Sequence, residues 1–114
     1  MEVISKPKDS GIDELAKKVF DKAIEILGGL KRLVEYRNLT WLPSLAEASY
    51  VIVLKNEAAL TNREIAEKLG LAEQTVANIL KAKETGTGEL EKLDTHKAGA
   101  LAKLAYKQIK AEGS

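Results

Sequence analysis

Ala66, Gly70 and Val76, spaced four and six residues apart, constrain this chain more than any other feature. They lie within residues 61–83, where Thr61 and Glu64 form a capping box and Ile65, Ala66 and Leu69 fall on one helical face. Gly70 stops that helix, because a left-handed turn is cheap for glycine alone. A second helix runs from about Ala72 to Lys83 with Val76, Ile79 and Leu80 facing inward. The small Ala66 lets the two short helices cross closely. Ile65, Leu69, Leu71, Val76 and Ile79 then fill the wedge between them and need a third helix behind, which the pattern places at 44–56.

The remaining segments also read as helices. Ser10 is a good N-cap, Asp13 and Glu14 suit a first turn, and Ile12, Leu15, Ala16, Val19, Ala23, Ile26, Leu27 and Leu30 recur at helical spacing. Gly28-Gly29 ends or bends this helix, and a short one follows at 30–36. Residues 38–43 form a connection in which Trp41 plugs the bundle. Ser44 and Glu47 make a further capping box. Residues 50–54, Tyr-Val-Ile-Val-Leu, are β-rich, yet their flanks favour helix and no second strand is available to pair with them. They are expected as a helix buried on all sides. A Thr-Gly-Thr-Gly joint at 85–88 lacks the lysine and spacing of a phosphate loop. Residues 89–93 add a turn, and a last helix starts near Asp94 or Thr95 with Ala98, Leu101, Ala105 and Ile109 on one side. The chain is therefore expected to be all-α, a small bundle of about five to seven helices. A flexible arm at 1–9 precedes a single domain at 10–114, and no alternating strands follow residue 83 to build a wing.

Composition removes most chemistry. A chain of 114 residues has room for one small core. It has no cysteine, hence no disulfide, thiolate nucleophile or cysteine zinc site, and its single histidine, His96, excludes paired-histidine metal motifs. Nothing around Ser44 resembles a nucleophile elbow, and Glu84, Glu89, Glu91 and Asp94 are spaced as a solvated linker rather than a calcium loop. The expectation is no enzyme, no cofactor and no metal. The longest apolar run, at 50–54, has five residues where a spanning helix needs roughly 18. The first residues lack a secretory apolar stretch, which points to a cytoplasmic protein without a membrane partner. Eighteen bases against 17 acids give a net charge of +1, too balanced to argue for a polyanion partner. Any such reading has to come from a motif.

Residues 61–83 resemble the helix-turn-helix of sigma-factor and LuxR-type regulators. The resemblance implies a transcription regulator that binds double-stranded DNA, with helix 72–83 in the major groove. Gln74, Asn78 and Lys81 would then form a stripe at i, i+4 and i+7, with Thr75 beside it. Gln and Asn amides suit adenine, Thr75 a thymine methyl, and Lys81 guanine or phosphate. Glu73 would accept from a cytosine amine, and Arg63 with the first helix's N-terminus would hold a phosphate. The sequence departs from the pattern at Ala72, where Ser or Thr is usual, and at Glu73, which repels phosphate. The competing reading is a protein-interaction adaptor built on the same helices. RNA binding is a third, although the chain lacks an aromatic stacking platform.

Leu27-Gly-Gly-Leu30, the stretch 38–54, the helix-turn-helix and Gly99-Ala-Leu-Ala-Lys-Leu-Ala105 together resemble a family of small archaeal regulatory domains encoded near KaiC-like ATPases. This implies a regulatory role and a KaiC-like ATPase as partner, and supplies no catalytic residue. A lone unit of this size makes few base contacts, so a homodimer on two half-sites is expected. Val19, Phe20, Leu101 or Tyr106 are the candidates for burial between copies.

Overall fold

A computed structural model describes residues 5–35, 42–82 and 95–113, with side chains from residue 11 in the first stretch and from residue 98 in the last. Among them are six helices: α1 Ser5–Leu27, α2 Leu30–Glu35, α3 Leu42–Glu57, α4 Asn62–Leu69, α5 Glu73–Lys81 and α6 Thr95–Ala111. There is no strand among the described residues. The Trp41 connection, the 85–88 joint, the 89–93 turn, the side chain of His96 and the first four residues of the expected arm lie outside them.

Helix α1 begins at Ser5, not after Ser10. Pro7 is compatible with this start because it sits in the first turn, where backbone N–H groups have no intrahelical acceptor. The inner face is the expected one: Ile12, Ala16, Val19, Ala23 and Leu27 are buried, with Ile24 added and Leu15 and Ile26 partly covered. Leu30 leaves this pattern. Gly28 and Gly29 adopt φ of 122° and 86°, and the Gly29 N–H donates to the Ile24 carbonyl at 2.9 Å, so the helix closes there. Leu30 therefore opens α2 and is 76% exposed.

Helix α3 is the axle of the fold. Val51, Ile52, Val53 and Leu54 are all at most 1% exposed, so these four residues of the β-rich segment form a helix enclosed on every side, while Tyr50 is half-buried. Ser49, also buried, satisfies its hydroxyl by donating to the Leu45 carbonyl at 2.9 Å. Helix α3 starts at Leu42, which puts Ser44 inside the first turn and not ahead of it as a cap. The cause is again a proline: Pro43 fits the first turn and lets the helix begin earlier. The α3 helix ends at Glu57 through Ala59, whose φ is 56°, a left-handed conformation in a residue other than glycine.

Helices α1, α3 and α6 pack together, and α4 and α5 lean on α3 and α6. Alanines 98, 102 and 105 are fully buried on α6, and such small side chains allow close approach of its neighbours. The ends are tied by polar contacts: Lys22 on α1 to Glu112 beyond α6 at 2.9 Å, Tyr50 on α3 to Asp13 on α1 at 3.0 Å. This packing corrects the expected dimer residues. Val19 and Leu101 are 0% and 1% exposed because α1 and α6 bury them against each other and α3 within one chain. No helix among the described residues is long and apolar enough to cross a membrane.

Candidate nucleic-acid interface

The two short helices form as their caps dictate. Thr61 Oγ1 accepts from the Glu64 N–H at 3.1 Å while Glu64 Oε1 accepts from the Thr61 N–H at 2.8 Å, a reciprocal box that starts α4. Gly70 ends it with φ 72° and ψ 30°, and the Leu71 N–H returns to the Ala66 carbonyl at 2.9 Å. Ile65, Ala66, Val76 and Ile79 are buried, while Leu69 and Leu71 pack on the core from its edge. The wedge and the α3 helix behind it are those read from the sequence.

The outward side of α5 is open. Glu73, Gln74, Asn78 and Lys81 are exposed, and Thr75 is half-buried beside them. The Gln74 amide donates through Nε2 to Asn78 Oδ1 at 2.9 Å. This bond joins the two side chains into one polar unit that still offers the Gln74 oxygen as an acceptor and the Asn78 nitrogen as a donor. Ala72 is the N-cap of α5 in extended conformation and supplies no side-chain cap. Arg63 is exposed on α4, with Nε 3.5 Å from Glu67 Oε2 one turn on. Across α4 and α5, Arg63, Lys68 and Lys81 balance Glu64, Glu67 and Glu73.

Helix α6 contributes what the sequence reading missed. Lys103 sends its ammonium to the last carbonyls of α5, donating to Leu80 and to Ala82, the latter at 2.7 Å. A cation suits that end of a helix, where the carbonyl groups lack partners and the dipole is negative. One turn earlier, a Cβ on Gly99 would lie 3.3 Å from the Ile79 carbonyl oxygen and 3.3 Å from the Ala82 Cβ. Glycine thus permits the contact that brings Lys103 within reach. The available signal was Gly99 itself, since a glycine inside a helix costs about 1 kcal/mol against alanine and usually has a packing reason.

Beside this junction a groove of about 320 Å³ is lined by Leu80 of α5, Asn56 of α3, and Lys103, Tyr106, Lys107 and Lys110 of α6. At its far end the Tyr106 hydroxyl donates to Glu57 Oε2 at 2.6 Å, and Lys110 reaches the same oxygen at 3.1 Å. The Tyr106 and Lys110 hydrogen bonds hold the Glu57 carboxyl below its ordinary range. Burial, then the bond to Glu57, pushes the Tyr106 phenol up to about 12.

Residues 52–82 match a family of winged helix-turn-helix DNA-binding domains. The matched span starts within α3 and ends one residue past α5, so it covers three helices and no wing. Residues 83–94, which follow directly, lie outside the described residues. No curated protein and no solved structure matches the chain.

Proposed function

We propose that the protein is a DNA-binding transcriptional regulator that places α5 in the major groove of a duplex. One observation carries the reading: within a segment matching a DNA-binding helix-turn-helix family, the inner side of α5 is locked in the core while Glu73, Gln74, Asn78 and Lys81 stand free on the other. The linked Gln74–Asn78 pair presents an acceptor and a donor, the complement of the N6 amine and N7 of adenine. Thr75 lies beside the pair for a thymine methyl, Glu73 accepts from a cytosine amine, and Lys81 meets guanine or phosphate. Arg63 turns from Glu67 to a phosphate on binding. Two copies act together as a homodimer on paired half-sites. The wider resemblance of residues 20–106 to archaeal regulatory domains supplies the input: a KaiC-like ATPase that the regulator answers to.

The test is binding to random and genomic duplexes at two salt concentrations. Affinity should fall as salt rises through counterion release. Replacing Gln74 and Asn78 together by alanine should erase sequence preference, each good base contact being worth about 1–3 kcal/mol. Lys81→Ala should weaken all duplexes alike. Equal binding by all three proteins removes α5 from the interface.

A second reading has its own support. Three acids offset three bases around α5, and Arg63 is already engaged by Glu67. That neutral rim suits a protein-interaction adaptor, and duplex binding too weak to measure at low salt would favour it.

A further inference from the structure

The groove between α3, α5 and α6 holds a positive charge that the fold does not neutralise. Lys103 is half-buried in its lining and donates to the carbonyls of Leu80 and Ala82. An ammonium has three hydrogens to give, so one is left over. Among the described residues no acceptor takes it and no carboxylate pairs with Lys103. The negative end of α5 offsets only about half an elementary charge, so the position stays net positive. Lys107, exposed one turn along α6, adds a second cation to the lining. Lys110 is discounted, because Glu57 holds it at 3.1 Å. No acid is among the described lining residues, and Ile52, Leu80 and Tyr106 make much of the remainder apolar. The volume, about 320 Å³, falls within the range of pockets that take small organic molecules, about 300–1,000 Å³.

We propose that this groove binds a small organic anion, a carboxylate or phosphate head on a short apolar body. The head accepts the third hydrogen of Lys103 and lies against the charge of Lys107, while the body covers Leu80, Ile52 and the Tyr106 ring. A bare anion would gain only a charge attraction that water weakens at an open groove; burial of the apolar lining supplies the rest. Glu57, bonded by Tyr106 and Lys110, fixes the polarity. Its negative charge disfavours a second anionic group at that end, about 10 Å along α6 from Lys103, so the ligand is charged at one end only. Bonding the third hydrogen leaves both carbonyl bonds of Lys103 intact. The ligand therefore tightens the clasp on the last turn of α5.

The test is a titration of the whole chain, without DNA, followed by amide nuclear magnetic resonance. Phenyl phosphate and octanoate are the two amphiphilic probes and distinguish a phosphate head from a carboxylate one; inorganic phosphate and octanol carry the head alone and the body alone. At least one amphiphile should give saturable shifts centred on Asn56, Leu80, Lys103, Tyr106 and Lys107 with a Kd below about 1 mM, and the head and the body alone should bind at least about ten-fold more weakly. At saturation, exchange of the Ala82 amide, which bonds the Ile79 carbonyl, should slow more than exchange in α2. Lys103→Met should weaken binding at least about ten-fold. Because that change also loosens α5, Asn56→Asp provides a second variant: it places a carboxylate in the lining at constant size and should weaken binding likewise. Lys31→Met removes the same charge from α2 and should bind as the wild type does. Circular dichroism certifies the fold of each variant. The absence of saturable binding by either amphiphile, equal binding of inorganic phosphate or octanol, or Ala82 exchange that a bound amphiphile leaves unchanged overturns the proposal. So does Asn56→Asp binding as tightly as the wild type, or Lys31→Met binding as weakly as Lys103→Met. The site goes beyond the duplex reading and, with no DNA in any readout, succeeds or fails independently of it.

Discussion

Lys103 Nζ lies 2.7 Å from the carbonyl oxygen of Ala82, and it donates as well to the carbonyl of Leu80. One ammonium group, carried by α6 more than twenty residues further along the chain, thereby closes the C-terminus of α5. Replacing Lys103 by methionine keeps the aliphatic stem and removes the donor. The loss should be about 1–2 kcal/mol, seen as a lower denaturant midpoint with an unchanged slope.

Gly99 sets the distance over which that bond forms. A valine there would press on the Ile79 backbone and on Ala82, which a packed junction resists. Gly99→Val should cost about 1–3 kcal/mol in thermal or chemical unfolding, even though valine is the better helix former.

Ala59 offers the opposite opportunity. Its φ of 56° follows the end of α3, and the left-handed region penalises a Cβ by roughly 1–2 kcal/mol. Ala59→Gly should raise stability by up to about 1 kcal/mol, measured as a higher midpoint in urea, because the native strain removed exceeds the added freedom of the unfolded chain.

The Tyr106–Glu57 bond predicts behaviour at both ends of the pH scale. Tyr106 is raised from 10.0 to about 12 in the fold, so its stabilisation is complete below pH 10 and is lost as pH climbs towards 12. Glu57 is depressed, so its contribution is present above the ordinary carboxylate range and disappears as pH falls through its lowered value. Ultraviolet titration of the three tyrosines should show one ionising near 12, and that step should vanish in Tyr106→Phe.

The helix-turn-helix could be read from the sequence because its determinants are local. Thr61 and Glu64 lie three residues apart, Gly70 lacks the Cβ that its left-handed turn penalises, and the burial of Ile65, Val76 and Ile79 follows a single period. Helix starts were less legible where two local rules competed. Ser10 and Ser44 satisfy the rule for caps, but Pro7 and Pro43 satisfy the rule for first turns, and the helices begin two residues and one residue before the prolines. Periodicity marked Val19 and Leu101 as apolar without saying whether they meet another copy or the same chain. That depends on α1 lying against α6, a pairing between segments some eighty residues apart. Lys103 was invisible for the same reason, since nothing near it in the chain announces which carbonyls it reaches.

The clasp of α6 on α5 orders the birth of the molecule in time. Helices α4 and α5 are close neighbours in the chain and can meet as soon as both have been synthesised, but the inner wall of α5 is finished by residues 98–105, which leave the ribosome later. A nascent chain grown only to Ala82 therefore has to keep the Ile79 side of α5 uncovered until Gly99 and Lys103 arrive.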